Sequence, residues 1–227
     1  FHHSRRTKYK IIMSKRIKKI FEKEGKKLVT FTTGGDPDLE TSLVILNKII
    51  NNGIDIIEIG MPFSDPMADG PTIQESSVRS IANGTKINDI FKIVNNIRKK
   101  NDEIPIILMG YYNSIFNLGV ENFTSKCVEV GVDGLIIVDL QPEEDLELYK
   151  KTKENNIDLI RLITPTTDQN RLNTILENAS GFLYYVTITG ITGQNSANIE
   201  NLRNSIKIIK SYSKLPIVAG FGIKNRK

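Results

Sequence analysis

The chain has 227 residues, enough for one large α/β domain, and its formal charge of +5 is unevenly spread. Residues 1–27 hold eleven Lys/Arg against two acids, +9 in all, so the other 200 residues sum to −4 and the basic pI is no argument for nucleic acid. One cysteine, Cys127, excludes an intrachain disulfide, two histidines confined to the first three residues exclude a His-based site in the body, and no apolar run is long enough to span a membrane, so a reducing, cytoplasmic setting is expected.

Residues 1–14 lack periodicity and read as an extension foreign to the fold or disordered, with a basic transit remnant as the alternative; residues 15–227 read as one domain. Short apolar runs follow at Leu28–Thr32, Asp55–Ile59, Ile104–Met109, Gly134–Val138, Leu159–Ile163, Phe182–Thr187 and Pro216–Gly220. Runs apolar almost throughout indicate strands buried on both faces, as in a parallel sheet. Between them, Glu40–Asn52, Ile87–Lys99, Val120–Val130, Asp145–Asn155, Gln169–Glu177 and Asn201–Ser211 carry the spacing of amphipathic helices.

Seven strands alternating with helices fit a doubly wound sheet or a (β/α)8 TIM barrel. Even strand spacing, no GxGxxG after the first strand, and charged or Gly-rich segments after several strands favour the barrel, whose C-terminal strand ends form the working face. The chain stops after the seventh strand, so the expectation is a barrel truncated before its eighth βα unit.

The second strand carries Glu58, which shares a strand face with Ile56 and Gly60. If that face looks into the barrel, burial raises the acid's pKa and lets it exchange protons near neutrality; a structural acid accepting backbone N–H groups is the equal alternative. The following Pro- and Gly-rich loop carries Asp65 and Asp69, each of which also reads as an ordinary turn residue before Pro or Gly. Gly190-Ile191-Thr192-Gly193 and Gly220-Phe221-Gly222 follow the sixth and seventh strands, where small residues let backbone N–H groups approach a phosphate or simply form tight turns. Phe31, Met109, Tyr184 and Phe221, at or beside strand ends, are candidates to line an apolar pocket or to be ordinary core.

Glu58 through Gln74 closely resembles the signature block of the tryptophan synthase alpha chain family, Glu-Leu/Ile-Gly then Pro-Phe-Ser-Asp-Pro-x-Ala-Asp-Gly-Pro-x-Ile-Gln. Thr33–Pro37, Met109–Asn113, Gly190–Gly193 and Gly220–Ile223 resemble further segments of that family, and the likeness runs from about Ile17 to Ile223. The resemblance implies retro-aldol cleavage of indole-3-glycerol phosphate to indole and glyceraldehyde 3-phosphate. By that likeness Glu58 and Asp69 are the catalytic acids, Thr192 contacts Asp69 on loop closure, and Gly193 and Gly222 contact phosphate. It also implies an alpha2-beta2 tetramer with a beta chain that holds pyridoxal phosphate, no cofactor in this chain, and Pro62, Asp65 and Asn113 facing the beta chain. The sequence departs from the family at Gln141, inserted before Pro142, and at Thr187, and it lacks the Gly-Ser phosphate loop. A catalytically weak subunit that mainly activates a beta chain, and another phosphate-binding barrel such as indole-3-glycerol phosphate synthase, are the alternatives.

Overall fold

A computed structural model describes residues 13–187 and 199–220. Its strands are β1 (Val29–Thr33), β2 (Ile56–Gly60), β3 (Ile106–Gly110), β4 (Gly134–Ile137), β5 (Asp158–Leu159), β6 (Arg161–Ile163), β7 (Leu183–Val186) and β8 (Ile217–Gly220). Its helices are α1 (Lys15–Glu22), α2 (Leu39–Asn51), α3 (Pro71–Ala82), α4 (Ile87–Lys100), α5 (Tyr112–Leu118), α6 (Val120–Val130), α7 (Leu146–Glu154), α8 (Gln169–Glu177) and α9 (Ile199–Tyr212). All ladder pairings are parallel and follow chain order, β1 to β5 in one sheet and β6 to β8 in the other.

The strand predicted over Leu159–Ile163 is divided at Ile160 into β5 and β6, which belong to different sheets. The Ile160 N–H still donates to the Leu135 carbonyl at 2.9 Å, so the break lies just beyond that bond. With β5 and β6 counted as one interrupted strand, the described residues hold the seven strands that the apolar runs predict.

Side-chain alternation sorts the core into two layers. Ile57, Ile59, Leu108, Leu135, Ile137 and Leu159 point outward and pack with Leu46, Ile90, Val94, Ile97 and Phe123 of the surrounding helices. Ile56, Ile107, Met109, Ile136, Ile160, Phe182 and Tyr184 form an inner cluster, against which Val29, Phe31 and Leu162 pack. A second outer cluster holds Leu183 and Tyr185 against α8 and α9.

Three helices lie outside the predicted set. α1 carries a short apolar stripe amid lysines: Ile17 and Ile20 join the inner cluster and Phe21 packs on Phe182 at 5.7 Å, so the helix covers one end of that cluster. Its N-cap is Ser14, whose hydroxyl accepts from the Ile17 N–H at 3.2 Å. Met13 and Ser14, placed in the extension by sequence, therefore belong to the fold. α3 buries Ser76, Ser77 and Ser80 instead of aliphatics. Thr33 and Ser76 share a 2.6 Å hydroxyl contact, and Ser80 donates to the Gly34 carbonyl at 2.7 Å, so hydrogen bonds hold this helix to β1. α5 has only seven residues.

Candidate active site

Glu58 stands on β2 in register with Phe31 of β1 and Ile107 of β3. Its strand face is that of Ile56, so its side chain enters the inner layer, and it is 1 % exposed. Among the described residues no group hydrogen-bonds its Oε1. The alternative of an acid fixed by backbone N–H groups thus lacks a donor at that oxygen. Burial in this apolar surround pushes the carboxyl up to about 8. The Tyr184 hydroxyl, also inside the barrel, is pushed up by burial and then by the Glu58 charge.

Asp69 lies at the end of the loop that leaves β2. The turn there is closed by its backbone, the N–H donating to the Pro66 carbonyl at 3.0 Å. Its carboxylate does not cap α3: Gly70 is the N-cap and Pro71 opens the helix. The Tyr111 hydroxyl instead donates to Asp69 Oδ2 at 3.0 Å. Half-burial raises the Asp69 pKa, and the bond from Tyr111 opposes the shift.

A cleft at the strand ends is lined by Phe31, Gly60, Asp69, Met109, Tyr111 and Val138. Predicted residues Phe31, Met109 and Asp69 meet in this cleft, and Glu58 lies on the same face of β2 as Gly60, two residues earlier. Tyr184 shares the inner cluster with Met109, with Phe31 packed against it. Thr192, Gly193, Phe221 and Gly222 lie outside the described residues. Gly220 is described; an added Cβ there would overlap the Tyr184 ring, so its lack of a side chain makes room for the tyrosine. Its carbonyl accepts from the Thr187 N–H at 3.1 Å and from the Thr187 hydroxyl at 2.7 Å. A serine could make the same side-chain bond, which explains why the departure at 187 is mild.

Pro62 is half-buried, while Asp65 and Asn113 are exposed on the neighbouring segments after β2 and β3. Those same segments expose Met67 (85 %) and Phe116 (66 %), which sequence reasoning did not select. Tyr111 was also missed as a site residue, although it lies within the family-like segment Met109–Asn113, directly after the strand-ending Gly110. Gln141, the departure in the next loop, accepts from Arg171 Nη2 at 3.2 Å, and Arg171 also pairs with Glu143. No group of carboxylate, histidine and cysteine side chains among the described residues is arranged to hold a metal ion. No described helix is long and apolar enough to cross a membrane.

Parallel strands in barrel order, with one acid inside and a second at the mouth formed by the strand C-termini, define the site of a (β/α)-barrel enzyme equipped for general acid–base chemistry. The model of one family, described as tryptophan synthase alpha chain, matches residues 17–227, and the chain belongs to that family. It is 48 % identical over 198 residues to the tryptophan synthase alpha chain of Zymomonas mobilis, covering 87 % of this chain and 72 % of the relative. It is 46 % identical to that of Novosphingobium aromaticivorans over 209 residues, 92 % of this chain and 79 % of the relative. The crystal structure of tryptophan synthase subunit alpha from Legionella pneumophila superposes with a TM-score of 0.84 at 38 % identity, covering 92 % of this chain and 79 % of that one. A chain in the crystal structure of the tryptophan synthase complex from Pyrococcus furiosus matches with a TM-score of 0.78 at 35 % identity, over 88 % of this chain and 79 % of that chain.

Proposed function

We propose that the chain cleaves indole-3-glycerol phosphate to indole and glyceraldehyde 3-phosphate, the alpha reaction of tryptophan synthase. The bond between indole C3 and the glycerol chain breaks as C3 takes a proton and the adjacent glycerol hydroxyl gives one up, so no net proton is gained or lost. Glu58 is the group that moves these protons. A carboxyl whose pKa lies near 8 can hold a proton at neutral pH and pass it on, and its apolar surround excludes competing water. Asp69 accepts from the ring N–H, balancing the positive charge that develops on nitrogen when C3 is protonated.

Phe31, Met109, Tyr184 and Phe221 hold the indole ring; Gly193 and Gly222 offer backbone N–H groups to the phosphate, and Thr192 meets the Asp69 loop. No cofactor is required in this chain. Pyridoxal phosphate belongs to the beta chain, which docks on Pro62, Asp65 and Asn113 in an alpha2-beta2 tetramer of the cytoplasm. The exposed apolar side chains Met67 and Phe116 beside those residues support such a surface.

One observation carries the mechanism: Glu58 is buried inside the barrel, on the same face of β2 as Gly60, which lines the cleft that Asp69 borders. Glu58→Gln and Asp69→Asn, each assayed for indole release in complex with the beta chain, test it. Loss of cleavage by about a hundredfold or more with retained beta activation is expected. Cleavage near the wild-type rate in either variant would remove that acid's assigned role.

A further inference from the structure

Tyr111 immediately follows Gly110 at the end of β3 and is 3 % exposed. Its ring stacks on Phe63, centroids 5.0 Å apart and planes 23° from parallel. Its hydroxyl accepts from the Ala68 N–H at 2.9 Å and donates to Asp69 Oδ2 at 3.0 Å. One side chain from β3 therefore grips the loop after β2 at Phe63, Ala68 and Asp69. From α3, Gln74 Nε2 donates to the Asp69 carbonyl at 2.9 Å.

The direction of these bonds is fixed. A backbone N–H can only donate, so the phenol oxygen accepts from Ala68 and its own proton is free to go to Asp69. Burial, opposed by the Ala68 bond and reinforced by the Asp69 charge, keeps that phenol protonated. Oδ2 is thus tied to Tyr111, which fixes the plane of the carboxylate and leaves its remaining lone pairs to accept a substrate N–H.

Resting on the proposed role of Asp69, we propose that Tyr111 is a positioning residue: its hydroxyl sets the Asp69 carboxylate, and the loop that carries it, in place before substrate arrives. Asp69 is then pre-aimed by the residue that directly follows β3. Such pre-aiming lowers the reorganisation needed as charge develops.

Tyr111→Phe keeps the ring and its stacking and deletes the hydroxyl. In complex with the beta chain, its kcat for indole release should fall about tenfold with KM within about twofold. The acid limb of kcat against pH should move upward, because the ionised form of Asp69 loses a donor. In an Asp69→Asn background the same substitution should cost little more, since the two residues act as one unit. A thermal midpoint read alongside separates unfolding from mispositioning. 3-Fluorotyrosine at position 111 keeps the hydroxyl, makes it a stronger donor, and should move the acid limb downward. An unmoved acid limb in both 111 variants, or an equal loss in the Asp69→Asn background, overturns the proposal. If Asp69→Asn itself cleaves normally, the reading of the site falls and this proposal with it; if Asp69→Asn is inactive and only Tyr111→Phe is normal, this proposal alone falls.

Discussion

The Phe31 ring occupies the space that a side chain at position 60 would need: a Cβ on Gly60 would lie 2.7 Å from Phe31 Cζ. The two residues sit on adjacent strands, and the ring forms part of the cleft wall above Glu58. Gly60→Ala should therefore push the Phe31 ring out of place. An overpacking cost of about 1–3 kcal/mol is expected from urea unfolding, with a rise in KM for the indole substrate. Phe31→Leu, which shortens the clashing side chain, should recover part of the lost stability in the double variant.

Glu58→Gln should stabilise the fold while it abolishes cleavage. The folded-state pKa, about 8, lies above the ordinary value of 4.5, so the native state holds this proton more tightly than the unfolded chain does. Stability is full below about pH 4.5 and declines as pH rises towards 8. Glutamine cannot ionise and escapes that decline, so its advantage in urea midpoint should be larger at pH 8.5 than at pH 5, on the order of a few kcal/mol. An equal midpoint shift at both pH values would contradict a raised pKa at Glu58.

Asp158 makes a second, separable contribution of the same sign. It is 1 % exposed, burial raises its pKa from 3.8 to about 7, and its Oδ2 accepts from the Ser14 N–H at 2.6 Å. Its share of stability should decline as pH rises from about 4 to about 7. Asp158→Asn in a Glu58→Gln background should flatten stability over that range. Hydrogen exchange of α1 amides reports the local effect: exchange of α1 should rise with pH faster than the intrinsic rate in the parent, and not in the Asn variant.

Asp133 should be among the costliest surface-remote residues to lose. It is 2 % exposed and accepts from Arg98 Nη2 at 2.5 Å, Arg16 Nη1 at 3.3 Å, the Ile106 N–H at 2.9 Å and the Ser14 hydroxyl at 3.2 Å. Arg98 is 9 % exposed, and burial has already lowered its pKa to about 10 despite the Asp133 charge. Asp133→Ala leaves that guanidinium without its partner, at an expected cost of about 3–5 kcal/mol in urea unfolding. Replacing Arg98 by Met in the same chain should restore part of the loss, since no uncompensated buried charge remains.

The layering of the barrel was legible because strands obey a period of two. Ile56 and Ile57 could be assigned to opposite faces from sequence, and the inner cluster then decided which face Glu58 shares. The Asp69 side chain was less legible. On spacing alone an Asp before Gly reads as a turn residue; the family resemblance singled it out, and in the structure the tertiary contact with Tyr111, 42 positions away, engages its carboxylate. α3 stayed hidden because its buried face is built from serines that bond β1, a pattern without apolar periodicity. α1 has a local stripe at Ile17, Ile20 and Phe21, but its place against the barrel is set by a buried acid 144 positions distant, which no local window contains.

The division at Ile160 gives the barrel wall a joint. β4 pairs with β5 only at Gly134 and Leu135, and a cleft lined by Ile137, Val138, Arg161 and Leu162 opens beyond them. There Arg161 pairs with Asp145, a buried tie from β6 to the start of α7. Glu58, Phe31 and Met109 stand on one side of the joint and Tyr184 and Gly220 on the other. Across that joint the wall is held by side chains and not by ladder bonds: Ile56, Ile107 and Ile136 from one leaf of sheet and Phe182 and Tyr184 from the other pack into a single inner cluster, so the continuity of the barrel interior rests on apolar contact where the backbone pairing lapses.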